Sequence, residues 1–106
     1  MHQLNSLLIE GTVKDHPEAG ETPDGGLLTI FTIFNTTFRG VSNDRKKKIS
    51  ELEVVAENTM AKEVEEKCTP GRSVRIIGHI EQFFFNVEGI SKNMVMIAAD
   101  HIEYKG

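Results

Sequence analysis

Arg45, Lys46, Lys47 and Lys48 follow one another in a chain whose 12 lysines and arginines are outnumbered by 16 aspartates and glutamates, for a net charge of −4. Four consecutive cations in one polar segment can hold an anion such as phosphate. Phe38 and Arg39 stand just ahead of them and add a flat apolar surface and a further positive charge. A charge run alone is most often a solvated hairpin tip, so its neighbours decide what it does. A second aromatic group, Phe83-Phe84-Phe85, has Arg72 and Arg75 upstream and Lys92 downstream. Rings beside cations suit a polyanion that carries flat bases, because bases stack on the rings while phosphates meet the charges.

Other chemistries find few residues to carry them. Cys68 is the single cysteine, so no internal disulfide forms, and a packing role suits it better than a nucleophilic one. His2, His16, His79 and His101 lack the i, i+4 spacing of a helical zinc pair, and no cysteine pair joins them. No metal site and no cofactor is implied. There is no glycine-rich phosphate loop, and the carboxylates show no spacing distinct from surface chance, which leaves an enzyme without a catalytic set.

The 106 residues suffice for one domain, expected to span 1–106, and the 39% hydrophobic and 26% charged content is that of an ordinary globular protein. No apolar run approaches the ~20 residues of a membrane-spanning helix. Met1-His2-Gln3-Leu4-Asn5 has neither the positive region nor the apolar stretch of a signal peptide, so a cytosolic location is the default.

The elements that must position the cations and rings follow from periodicity. A strand is expected over Ser6–Val13, with Gly11 marking a bulge or a close backbone approach. Asp15–Gly26 reads as loop, with Asp24-Gly25 as a hairpin signal. In the next strand, Leu27–Phe38, Leu28, Ile30, Thr32, Phe34 and Thr36 oppose Phe31 and Ile33; large apolar residues on both faces predict a strand covered on part of each side, with Phe31 and Phe34 in the core. Over Ile49–Ala56, Leu52 and Val54 share one face, and Glu51, Glu53, Val55 and Glu57 share another that is wet or meets cations.

A short helix over Thr59–Cys68 is capped by Asn58 or Thr59 and ended by Pro70-Gly71. Strands over Ser73–Phe85 and Asn93–Tyr104 flank a polar turn. Along the first of these, Arg75, Ile77, His79, Glu81, Phe83 and Phe85 share a face, whereas Phe84 is assigned to core or a subunit interface. The fold class is all-β: five strands with one short helix between strands 3 and 4, the layout of a five-stranded oligonucleotide/oligosaccharide-binding (OB) barrel. An open antiparallel sheet with one covering helix is the competing layout.

Several of these segments resemble the bacterial single-stranded DNA-binding proteins. Leu8-Ile9-Glu10-Gly11, Pro17-Glu18 and Thr22-Pro23-Asp24-Gly25 are similar to the family's opening strand and first loop. Met60-Ala61 and Pro70-Gly71-Arg72-Ser73-Val74-Arg75-Ile76-Ile77-Gly78 are similar to its helix, glycine turn and following strand. The resemblance covers nearly the whole chain. It implies an OB-fold that assembles as a homotetramer, or alternatively a dimer, stacks bases on aromatics and meets phosphates with basic residues. The family's aromatic at the end of the second strand falls on Phe38, or on Arg39 without a gap, and that of the fourth strand on Phe85.

The departures are acidic. Glu51 and Glu57 replace expected aromatics and Glu53 an expected base, there is no tryptophan, and the sequence ends Ile102-Glu103-Tyr104-Lys105-Gly106 without the acidic tail through which many members recruit partners. The implied function is non-catalytic, sequence-independent binding of single-stranded DNA in replication, repair or recombination, in the bacterial cytoplasm with the nucleoid, by base stacking on aromatics and by phosphate contacts from a basic loop, Val41–Lys48, expected between the second and third strands. Replication or repair proteins would be further partners, with no role for a membrane. The candidate binding residues are Phe38, Arg39, Arg45, Lys46, Lys47, Lys48, Arg72, Arg75, Phe83, Phe85 and Lys92. The alternative is an interaction module similar to the primosomal replication protein, with weak strand binding and a protein partner.

Overall fold

Thirteen residues from Leu27 to Arg39, most of them β-branched or aromatic, form one continuous wall of the barrel. In the computed structural model, which describes residues 3–106, this strand is β3. The others are β1 (Leu7–Val13), β2 (Glu18–Glu21), β4 (Lys46–Glu57), β5 (Ser73–Val87) and β6 (Ile90–Lys105), with helix α1 (Thr59–Lys67) between β4 and β5. β3 pairs antiparallel with β4 from Leu28↔Glu57 to Arg39↔Lys46. β4 pairs parallel with β6 at Val54↔Ile97, β6 antiparallel with β5, β5 with β1, and β1 returns to β3 at Thr12↔Phe34 and Val13↔Ile33. Five strands thus close a ring, the OB barrel expected from the element order, and the open-sheet layout is excluded.

The helix position differs from expectation. It follows the fourth strand and not the third, because the segment read as loop contains β2, which pairs with Leu27–Ile30 of β3. Glu18-Ala19-Gly20-Glu21 has poor strand propensity; the Thr22–Gly26 hairpin holds it against β3, with Gly25 at φ +87°. α1 packs on β3 and β4 through buried Ala61 and Val64, and buried Thr29 donates its hydroxyl to the Ala61 carbonyl at 3.1 Å. Asn58 sits at the helix start with φ +56° and no side-chain capping bond. Cys68 is fully buried in the barrel core beside Val64, and burial pushes its thiol up to about 11, which suits packing and not nucleophilic chemistry.

Both faces of β3 and β4 are covered, as the alternation requires. Phe31, Ile33, Val54 and Ala56 face the barrel core with Val13, Val74 and Ile76. Leu28, Ile30 and Val55 face a second core, whose other side is Phe83, Phe85, Val87, Met94, Met96 and Ala98. These last residues come from the far half of the β5–β6 hairpin, which leaves the barrel and folds back over the outer face of β3 and β4, where Glu21 of β2 pairs with Asn86.

The elbow of this arm is a bulge. Ile77 pairs with His101 but Gly78 pairs with Ala99, so Asp100 has no opposite residue. A side chain on Gly78 would strike the Ala98 carbonyl oxygen, so the close approach of β5 and β6 at this point needs glycine. The hairpin closes at Glu88-Gly89, both with positive φ (49° and 79°), a two-residue turn that extends the strands beyond the expected Phe85 and Asn93.

The candidate status of Phe83 and Phe85 is therefore corrected. They are 5% and 2% exposed, while Phe84 is 57% exposed. The alternation gives their shared face correctly, but the arm's fold turns that face onto β3 and β4. Phe85→Ala is expected to lower stability by about 3–5 kcal/mol, whereas Phe84→Ala should change it by about 0.5 kcal/mol or less, as at other surface positions. Urea unfolding midpoints of the two variants check this, and similar losses in both would contradict the burial assignment.

Candidate nucleic-acid interface

Beyond the second core, the outer face of the β3–β4 ribbon is open. Residues directly opposite in an antiparallel pair share a face, so the register places Phe38 with Lys47, Thr36 with Ile49, Phe34 with Glu51 and Thr32 with Glu53. Phe38 and Ile49 are 57% and 53% exposed. The Arg45 guanidinium carbon lies 5.0 Å from the Phe38 ring centroid, within cation–π range. Phe38, Arg45 and Lys47 thus form one aromatic and cationic patch at the ribbon tip.

Lys46, Lys47 and Lys48 are not in a loop. All three are β4 residues paired with Arg39, Phe38 and Thr37, and only residues 40–45 make the connection, with Gly40 at φ +96° and a 3-10 turn over Ser42–Asp44. β-alternation then separates them: Lys47 lies on the Phe38 face, while Lys46, Lys48 and Arg39 lie on the opposite one. Between Arg39 and Lys48 stand five cations and one carboxylate, Asp44. Among the described residues, none of these five cations forms an ion pair with a carboxylate. Their charge is available to an external anion.

The remaining candidates lie elsewhere. Arg75 is engaged by Glu10 at 3.1 Å and Glu103 at 3.6 Å across the β1–β5–β6 face, and Lys105 also binds Glu10. Hydrogen bonds from Lys105 and Arg75 hold the Glu10 carboxyl below the usual carboxylate range. Arg72 donates to the Lys105 carbonyl at 3.0 Å and lies 5.5 Å from the Tyr104 ring, at the start of β5. Lys92 is exposed near the end of the arm, opposite buried Phe85. Exposed Phe84 and Lys92 line a shallow cleft of about 300 Å³ there with Pro23 and Asn93.

Two residues escaped the sequence reading. Phe34, assigned to the core, packs in neither core cluster. It is half-buried, and Lys14 at the end of β1 lies 5.9 Å above its ring. The signal was present: Phe34 and Phe38 are four residues apart on one strand, so they share a face. Lys14 had no signal in its own neighbourhood, because β1 and β3 meet only in the closed barrel. The three carboxylates of β4 are differently engaged. Glu51 pairs with Lys14 at 2.5 Å, and both Glu51 and Glu53 border an apolar groove of about 540 Å³ lined by Leu7, Ile9, Leu52 and Ile80. Glu57 lies toward the arm, where partial burial and the charges of Glu81 and Asp24 hold its carboxyl above the usual range.

A closed five-stranded barrel with an exposed ring-and-cation patch on its β3–β4 ribbon defines an OB-type binding protein. Residues 4–104 match the model of the Single-strand binding protein family, and the chain belongs to that family. No curated protein matches it by sequence. Among solved structures, a small single-stranded DNA-binding protein from Streptomyces coelicolor superposes with a TM-score of 0.70 at 18% identity, over 99% of this chain and 96% of that one. A Plasmodium falciparum SSB in complex with ssDNA superposes with a TM-score of 0.77 at 16% identity, over 100% and 98%. At these identities the likeness is one of fold. No helix among the described residues is long and apolar enough to cross a membrane.

At the arm's elbow, His79 sits between two carboxylates, with Nδ1 2.9 Å from Asp100 and Nε2 2.8 Å from Glu81. These bonds, that to Asp100 first, hold the imidazolium above its ordinary 6.5. Its contribution to stability is then fully present below pH 6.5 and lost as pH rises through the elevated folded value. Relative to a His79→Gln variant, the wild-type urea midpoint should fall as pH rises from about 6 to 8, the range in which histidine changes charge; a difference independent of pH would contradict this clasp.

Proposed function

We propose that this chain binds single-stranded DNA without sequence preference and without catalysis, using the tip of the β3–β4 ribbon. The observation that carries the reading is Phe38, exposed between Arg45 and Lys47 at a ribbon tip whose cations form no ion pair among the described residues. A base stacks on Phe38 and the adjoining phosphates meet Arg45 and Lys47. Arg39, Lys46 and Lys48 on the reverse face extend the positive surface to the next turn of the strand, with Lys92 and Arg72 as outlying contacts. Arg75 is committed to Glu10 and Glu103, so it adds little, and Phe83 and Phe85 support the arm from beneath.

The chain acts as one OB-fold domain and self-associates, as a homotetramer or alternatively a dimer. Leu8 and Ile77, directly paired across β1 and β5 and 66% and 43% exposed, supply an apolar centre for such a contact. Association would place several ribbon tips on one path, where the local density of cations attracts a strand although each chain carries a net charge of −4. Roles in replication, repair or recombination, in the cytoplasm and with the nucleoid, accompany this reading. A second reading, a primosomal-type module with weak strand binding and a protein partner, is favoured by the exposed row of Ile80, Phe84 and Val95 on the arm.

Fluorescence anisotropy with a labelled oligo-dT separates these readings. Phe38→Ala should weaken binding by about 1–3 kcal/mol with an unchanged melting temperature. Replacing Lys46, Lys47 and Lys48 together by Ala should flatten the plot of log affinity against log salt by about 2, at roughly 0.7 for each phosphate no longer neutralised. Lack of binding even at low salt would exclude the strand-binding reading. Light scattering should find a multiple of the 11.8 kDa chain, and Leu8→Glu should shift it toward the monomer.

A further inference from the structure

Lys14, Phe34 and Glu51 form a row across three strands of the open outer face. Thr12 pairs with Phe34 and Phe34 with Glu51, while the Lys14 amide donates to the Thr32 carbonyl at 2.9 Å. The backbone of Lys14 is thereby fixed beside β3. Its ammonium reaches over the Phe34 ring, 5.9 Å from the centroid, and binds the Glu51 carboxylate on the far side at 2.5 Å. The hydrogen bond to Glu51 raises the Lys14 pKa above its ordinary value. The ring therefore carries an internal ion pair across its exposed side.

The arrangement has the chemical form of a nucleotide subsite that is already occupied. A ring belonging to neither core offers a stacking face, a cation reaches over it, and the anion bound to that cation sits where a phosphate oxygen would bind. Phe34 lies on the same face as Phe38, four residues along β3. At a rise of about 3.4 Å per residue this is roughly 14 Å, so a strand stacked on Phe38 and running along the ribbon passes over Phe34. We propose that Phe34 and Lys14 are a second base-and-phosphate subsite, and that Glu51 holds this subsite closed by competing with phosphate for Lys14.

Binding of a strand exchanges one anion for another. The phosphate takes the Lys14 ammonium, the Glu51 carboxylate returns to water, and a base takes the uncovered face of Phe34. No covalent bond changes. The exposed pair is weak, as surface ion pairs are, so it sets a modest threshold rather than a block.

The inference rests on strand binding by the ribbon, and its test separates the two. Oligo-dT affinity is measured across salt for wild type, Glu51→Gln, Lys14→Met, the double variant, and Glu65→Gln, which removes an equal charge from the exposed side of α1. Glu51→Gln is expected to raise affinity about threefold, the scale of one surface charge contact, and to steepen the log–log salt slope by about 0.7, one further phosphate. Both effects should vanish in the Lys14→Met background, and Glu65→Gln should leave the slope unchanged. In wild type, the Phe34 ring protons should shift on addition of oligo-dT. Absence of binding by every variant at low salt overturns the strand-binding reading and this inference with it. Binding by wild type with Glu51→Gln without effect, equally effective without Lys14, or matched in slope by Glu65→Gln overturns this inference alone, as does an unperturbed Phe34 ring.

Discussion

The unbroken antiparallel pairing of β3 with β4, from Leu28↔Glu57 to Arg39↔Lys46, is the constraint on which the other features depend. Its alternation assigns every side chain along roughly 37 Å of ribbon, at about 3.4 Å per residue, to one of two faces. One face closes the barrel through Phe31, Ile33 and Val54. The other begins as the floor of a second core at Leu28, Ile30 and Val55 and ends as an open surface at Phe34 and Phe38. A slip of one residue in this register would exchange the faces, exposing the barrel core and burying Glu51 and Glu53.

The same constraint organises the charge. Among the described residues, carboxylates find cations one or two strands away across the barrel: Glu10 and Glu103 meet Arg75 on adjacent strands, and Glu51 meets Lys14 across β3. The ribbon tip projects beyond those neighbours, so Arg39, Arg45, Lys46, Lys47 and Lys48 meet no such partners. A protein of net charge −4 thereby presents a local cationic surface. Attraction at this surface depends on local density, which is a matter of geometry, more than on total charge.

Much of the fold was legible in particular residues. Apolar groups on both faces of Leu27–Phe38 required cover on both sides, and two cores supply it. Gly11 marked a close backbone approach, since a side chain there would lie 2.6 Å from the Phe34 carbonyl oxygen. The strand of Glu18–Glu21 was not legible, because four residues of low propensity become a strand only through the hairpin that aligns them with β3. Nor was the cationic run legible as strand: lysines carry little β-signal, and pairing with Thr37, Phe38 and Arg39 decides their conformation.

The sequence by itself determined the class of fold, the helix and its limits, the face shared by Phe83 and Phe85, and the placing of Phe38 beside a dense group of cations. These are local properties, written in alternation, turn residues and charge spacing. Only the tertiary structure decided which face is wet. The bulge at Gly78 and Asp100 turns the β5–β6 arm over β3, so Phe83 and Phe85 become core and Phe84 becomes surface. Barrel closure brings Lys14 to Phe34 and Glu51 from 20 and 37 residues away in the chain, and Arg75 to Glu10 from 65. Burial and ion pairing are set by what another part of the chain lays across a face, and no local pattern carries that information.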